Sequence, residues 1–180
     1  MNIDAVILQL RTYAPIFGGR VAGAASYAMA SDQVWMAQPA AYVIPLADEA
    51  SPNQNQTGLY QEVTEKVGVI IDLANKEDRR GQDAAGQVVD EYRRAVLAAL
   101  LRWRPDPTAQ TMGFRYDGSG LLQVTRAWLR WQFDFAIETT ITDSDGWQPP
   151  SDPLTEIRGT VTDQTTGAVS IDSRANPAQA

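Results

Sequence analysis

The sequence predicts an α+β fold in which an N-terminal helix and one long central helix flank β-strands, with a β-hairpin extension at the C-terminal end. Three observations predict it. Residues 3–14 and 82–103 repeat apolar side chains at helical spacing. Residues 61–73 and 127–141 alternate apolar with polar at strand spacing. The stretch "TEIRGTVTDQTTGAVSID" reads as a small hairpin.

Taken in order, Ile3, Ile7, Leu10 and Ala14 form the stripe of the first helix, with Asn2 or Asp4 as its cap, and Pro15 ends it. Residues 16–38 are rich in Gly and Ala and are expected to be extended or irregular. "AAYVIPLA" is a strand whose Pro45 marks an edge or a break. "DEASPNQNQTG" has loop composition. In the next strand Val63, Val67, Val69, Ile71 and Leu73 share one face, and Glu62, Thr64, Lys66 and Asp72 the other. The central helix buries Ala85, Val88, Val89, Tyr92, Val96, Ala99, Leu100 and Trp103; Asp83 in its first turn and Arg102 in its last suit the helix dipole. "TMGFRYDGSGLLQV" is expected to be a hairpin turning at "DGSG".

Residues 127–141 make the clearest element. Leu129, Trp131, Phe133, Phe135, Ile137 and Ile141 alternate with Arg130, Gln132, Asp134, Glu138 and Thr140. Such a strand is on the order of 50 Å long at ~3.3 Å per residue, so it is expected to bend or to project beyond the body. "DSDGWQPPSDP" is a linker by composition. The hairpin beyond it has only Ile157, Val161, Val169 and Ile171 as apolar anchors, and an isolated two-stranded hairpin is marginal in water. The final "SRANPAQA" is expected to be disordered. The domain reading is therefore a body over 1–142, followed by an acidic linker, hairpin and tail over 143–180.

Composition narrows the function. The chain has no cysteine and no histidine, which removes disulfides, thiolate chemistry, the commonest general base and the commonest metal ligand. An enzyme would have to run on carboxylates, lysines, tyrosines or arginines, so no enzyme, cofactor or metal site is expected. No apolar run reaches membrane-spanning length, and "MNIDAVILQLRTYAP" is a poor secretory signal; the chain is read as made in a cytoplasm. Residues 1–133 hold 14 acidic and 13 basic side chains, a net of −1, whereas residues 134–180 hold 8 acidic and 2 basic, a net of −6. An acidic segment repels phosphate backbones, which argues against specific nucleic-acid binding there.

The suggestive motifs are weak. "NKEDRRGQDAAG" follows a strand and opens a helix, yet it has neither the Walker spacing nor three glycines. It reads as an exposed connection, with a protein contact through Arg79 and Arg80 as the minority reading. "DSDG" starts like a calcium loop, but "DSDGWQPPSDPL" lacks the later ligands. Trp103 and Trp131 fit the core. Trp128 falls on the polar phase of the long strand and Trp147 in the linker, which suggests either a contact surface or local packing.

The succession "PAAYVIPLADEA", a Gln/Gly loop, "LYQEVTEKVGVIIDLANKEDRRGQDAAGQVVDEYRRAVLAALLRWRPD", a hairpin and "RAWLRWQFDFAIET" resembles the tail terminator proteins of long-tailed, siphovirus-type bacteriophages over roughly residues 1–142. The "VIPL" strand, the Q-x-V strand opening and the "LLRWRPD" helix exit carry the likeness. The resemblance implies a mainly antiparallel sheet with flanking helices. It also implies a virion protein that forms a homo-hexameric ring on the head-proximal end of the tail tube, stops tube growth and supplies the surface for the head-tail connector or stopper protein. Such proteins often finish soon after the last long strand, so the 143–180 extension is a departure. The partners expected are further copies of the chain, the tube protein and the connector, with DNA only in transit and no membrane. Arg79, Arg80 and Gln82, Tyr60 and Gln61 at the loop exit, and Trp128 and Trp147 are the candidate interface residues. Another connector ring component, or a small-molecule-binding α/β module, is the alternative. An acidic lumen wall would suit a DNA conduit.

Overall fold

Helix α1 (Ile3–Tyr13) starts where the side chain of Asn2, itself in extended conformation, accepts a hydrogen bond from the Ala5 N–H. That bond satisfies one of the donors a helix start leaves open. Asp4 in the first turn and Arg11 in the last complement the dipole. Pro15 cannot continue the helix, and the chain turns through a 3-10 segment, Pro15–Phe17, that ends on the left-handed Gly18. The computed structural model describes residues 1–30, 36–74, 89–107, 112–125, 128–148, 157–162 and 169–175, the backbone alone for 29–30 and from 157 onward.

Within 16–38 the expectation of extended or irregular chain holds only in part. Strand β1 (Val21–Gly23) is followed by a helix, α2 (Ala24–Ala30). Its sequence, "AASYAMA", is dominated by good helix formers, and intrinsic propensity acted where apolar periodicity was too short to read. Strand β2 (Ala40–Pro45) ends on its proline; it is not an edge, because β1 pairs with it in parallel and β4 on its other side. The polar loop beyond it contains β3 (Glu49–Ala50), which pairs with Thr64 and Val63.

Strands β4 (Tyr60–Ala74), β5 (Arg115–Val124) and β6 (Trp128–Thr142) complete a six-stranded sheet of order β1-β2-β4-β6-β5, with β3 beside β4. All pairings but β1–β2 are antiparallel. Each strand of the central β4–β6 pair is fifteen residues long.

Two expectations are corrected here. "DGSG" is no turn: residues 117–120 lie inside β5, and Asp117 is the extra residue of a bulge between Tyr116 and Gly118. Salt bridges from Arg115 (2.7 Å) and Lys66 (3.6 Å) hold the Asp117 carboxylate there. The real hairpin joins β5 to β6, where the Thr125 N–H donates to the Trp128 carbonyl and the Trp128 N–H to Thr125 Oγ1. Helix α3 (Val89–Leu100) stops short of Trp103 because Arg102 adopts a left-handed φ of 63° and donates its N–H to the Phe114 carbonyl. Arg102 is thus outside the last turn, whose polarity is set by Asp90 and Glu91 at the other end. Residues 82–88 of the expected helix, Asp83 included, lie outside the described residues.

Helices α1 and α3 cover one face of the sheet. Val6, Leu10 and Phe17 meet Val96 and Leu100 over Val67, Val69, Ile71, Phe133 and Phe135, all buried. Each fully buried side chain of this kind contributes about 1.5–3 kcal/mol of transfer free energy. Rings interlock at one end: Phe114 and Tyr116 stand edge-on to Phe135, and Trp103 stacks on Phe114.

The chain divides into two compact units, Met1–Asp145 and Gly146–Ala180. In the second, β7 (Ile157–Thr162) and β8 (Val169–Ala175) pair antiparallel in a sheet of their own. Val161 stands opposite Ile171 and Thr162 opposite Val169. Ser173, Arg174 and Ala175 are strand residues rather than disordered tail, because each has a pairing partner on β7.

Candidate functional site: a projecting arm and an open sheet edge

The strand that outran its sheet in the sequence does so in the structure. Strand β5 starts opposite Ala136, and β2 ends opposite Val67. Beyond those points β4 and β6 continue as a ribbon in which Tyr60 pairs with Thr142, accompanied along β4 by β3 and by the loop after it, whose Ser51 and Gln54 N–H groups donate to the Glu62 and Tyr60 carbonyls. Six residues, 137–142, span ~20 Å at about 3.3 Å each. The ribbon is acidic: Glu62, Glu65, Glu138, Asp143 and Asp145 lie on it or at its end, against Lys66 at its base.

Local hydrogen bonds close the ribbon's end. A 3-10 turn, Asp143–Asp145, folds back so that Asp145 Oδ2 accepts from the Thr142 N–H at 2.8 Å and the Thr142 hydroxyl at 3.0 Å. Those bonds, the backbone one foremost, hold the Asp145 carboxyl below its ordinary pKa. Asp143 Oδ1 accepts from the Leu59 N–H. The two carboxylates that suggested a calcium loop therefore cap backbone. At the base, Lys66 donates to Glu49 Oε1 at 2.7 Å, which raises the pKa of the ammonium, with Asp117 adding to the effect.

The second face of the sheet is not simply a polar wall. Asp72, expected on a wet face, is buried, and so is Arg130 opposite it on β6. Arg130 Nε and Nη2 reach Asp72 Oδ2 at 3.4 Å, Gln38 Nε2 donates to Asp72 Oδ1 at 2.6 Å, and Arg130 Nη1 reaches Gln123 Oε1. The guanidinium lies 5.2 Å from the Trp128 ring and 6.0 Å from the Tyr27 ring. Beside them Ala40, Tyr42 and Ile70 are buried under Ala22, Tyr27 and Met36. Helix α2, unforeseen, brings Tyr27 to this face. Burial, and after it the Asp72 carboxylate, pushes the Tyr42 hydroxyl above its usual pKa. Asp72, Arg130, Gln38 and Gln123 bond to one another, whereas the buried Tyr42 hydroxyl has no hydrogen-bond partner among the described residues.

The two edges of the sheet are treated differently. The guanidinium of Arg11 donates twice to the Val21 carbonyl, at 3.0 and 2.6 Å, which occupies the edge at β1. At the other edge β5 runs ten residues with β6 on one side and no strand on the other among the described residues. Leu121, Leu122 and Val124 there are 50%, 46% and 52% exposed. Gly118 and Gly120 have open space where a Cβ would stand. This edge was missed in the sequence; its signal was "GLLQV", two consecutive leucines where alternation allows one.

Of the candidate interface residues, Tyr60 begins β4 and is 42% exposed, and Trp147 is 82% exposed. Gln61 is half-buried and donates to the Ser51 carbonyl at 2.6 Å. Trp128 is half-buried, with its indole N–H toward Gln123 Oε1. Arg79, Arg80 and Gln82 lie outside the described residues. Within the first unit, Tyr60 and Trp128 sit at opposite ends of the β4–β6 ladder. No helix among the described residues is long and apolar enough to cross a membrane.

Comparison with known proteins gives two findings. A family model described as "Phage tail terminator protein" matches residues 1–148. A chain in a structure described as "Virion of native gene transfer agent (GTA) particle" is similar, at 17% identity and a TM-score of 0.48, over 76% of this chain and 92% of that one. No curated protein matches the chain.

Proposed function

The chain belongs to the phage tail terminator family, a family of structural tail proteins, and from that premise we propose that it closes a homo-hexameric ring on the head-proximal end of the tail tube. The ring stops tube polymerisation and presents the joining surface for the head connector or stopper protein. The family match over residues 1–148 carries the reading. The mechanism is geometric. One ring face complements the last ring of tube subunits, and the other offers no further tube-binding surface. Rings close through heterologous contacts, in which one patch meets a different patch, and the projecting β4–β6 ribbon and the open β5 edge are two such patches.

Tyr60 and Trp147, both exposed, are assigned to contacts in this reading, as are Arg79, Arg80, Gln82, Gln61 and Trp128. The acidic ribbon and the segment beyond it face the lumen in this reading, where repulsion of phosphates lets DNA pass without sticking. The acidic segment wholly on the ring's outside would defeat that part.

The test is assembly without this protein. Overlong tubes in negative-stain images support the terminator role; tubes of normal length that fail to join heads assign the chain to the neighbouring connector ring. Mass photometry of the purified chain, with and without tube protein, reads the ring itself.

A further inference from the structure

A sheet edge that lacks a strand and a two-stranded sheet that lacks a third meet in one sequence. We propose that the hairpin β7–β8 of one copy adds to the open β5 edge of a neighbouring copy, so that a continuous sheet crosses each subunit boundary. The inference rests on the ring reading above and specifies one contact within it.

Four observations carry it. First, β5 presents an edge with no strand on its outer side among the described residues and with Leu121, Leu122 and Val124 exposed, whereas at the β1 edge Arg11 occupies the Val21 carbonyl. Soluble proteins blunt such edges with charge, bulges or cover. Strand β5 carries two bulges, at Asp117 and at Leu122, and the residues between them, 118–121, stay in register with β6. Second, the lengths match. Strands β7 and β8 have six and seven residues, ~20–23 Å, against ten in β5, ~33 Å, at about 3.3 Å per residue. Third, two-stranded sheets are marginal in water and are stabilised by a third strand. Fourth, the tether suffices: residues 146–156 span up to ~36–40 Å when extended, and β6 has already run six residues past the start of β5. A neighbouring copy is the occupant because a ring needs two unlike patches per subunit; pairing within one chain would consume both. The family match ends at residue 148, so this contact is an addition to the matched domain.

The absence of native cysteine makes the test clean. Copies carrying Leu122→Cys are mixed with differently tagged copies carrying Thr160→Cys or Ser173→Cys, assembled, and treated with a short bis-maleimide. Mixed-chain products are expected, and their yield should fall at least about tenfold when Leu121→Lys and Val124→Lys are added to the β5 copy, since lysine on an edge strand blocks strand addition. Rings that form without mixed products overturn the inference and leave the ring reading intact, as do products confined to one chain in a Leu122→Cys/Thr160→Cys double variant. Failure of the unaltered chain to form rings with tube protein counts against both. Hydrogen exchange on the unaltered chain is the check free of substitutions: β5, β7 and β8 amides should gain protection together on assembly, and β5 amides that stay unprotected in the ring refute the contact.

Discussion

Replacing Asp72 by Ala tests the physical account of the second sheet face most directly. Asp72 and Arg130 are both buried, and they face each other across the central strand pair. The carboxylate accepts from Gln38 at 2.6 Å and from Arg130 at 3.4 Å. Removing one partner of a buried pair leaves a desolvated charge, at a cost of about 3–5 kcal/mol. A domain of this size shifts about 2–4 °C per kcal/mol, so a Tm loss of roughly 6–20 °C is expected. The double variant Asp72→Ala/Arg130→Met should recover most of it, because an apolar replacement of both partners is often neutral or stabilising. Urea unfolding of the four members of the cycle gives the coupling energy, with constant m-values as the condition for reading it. Singles that each cost less than about 1 kcal/mol, or that simply add, would refute the claim that the pair is desolvated.

Other expectations are narrower. Gly113→Ala places a Cβ against the Arg102 carbonyl at a backbone φ of +81° and should cost at least ~2 kcal/mol in thermal unfolding; Gly120→Ala, which meets open space, should stay within about 0.5 kcal/mol for the free subunit. Arg11→Ala frees the Val21 carbonyl and should cost about 1.5 kcal/mol by urea unfolding, with faster exchange of β1 amides. The raised pKa values of Lys66 and Tyr42 give stability that is complete below their unfolded values, about 10.4 and 10, and that is lost as pH rises through the folded ones; Lys66→Met should flatten that alkaline loss in Tm. The lowered pKa of Asp145 works in the opposite sense: its contribution is present above pH ~3.9 and disappears as pH falls through the folded value, so Asp145→Asn should flatten the acid limb.

What was legible in the sequence was what periodicity encodes. Val63, Val67, Val69, Ile71 and Leu73 alternate because one face of β4 is buried, and all five are buried. The 15-residue strand β6 was legible too, and Leu129, Phe133, Phe135 and Ile137 are buried as its alternation implies, although Arg130 and Ala136 are buried as well and Ile141 is exposed. What failed had local signals overruled by distant ones. "DGSG" looks like a turn until Lys66 and Arg115 are seen to hold Asp117 in a bulge. Asp72 looks solvent-facing because its partner lies 58 residues away. The α3 exit was misjudged because Arg102 leaves the helix to pair with Phe114, a contact invisible to helical spacing. Of the site, the overlong strand could be read from the sequence, whereas the open β5 edge could not, since edge status belongs to strand order and not to any one strand.

The disposition of polar groups also bears on the choice between an assembly part and a ligand-binding module. Ligand sites present a few convergent polar groups to a concave, largely apolar space. Here the buried pair Asp72 and Arg130 bonds to the half-buried Gln38 and the exposed Gln123, and Trp128 and Tyr27 flank the guanidinium. A network spent internally fixes geometry. It locks Gln38 and the neighbouring segment onto the sheet, which leaves the β4–β6 ribbon and the β5 edge as the exposed variables. An interaction part gains from that arrangement, because a rigid body presents its patches at a fixed angle, and a ring closes only when the angle from one copy to the next is fixed.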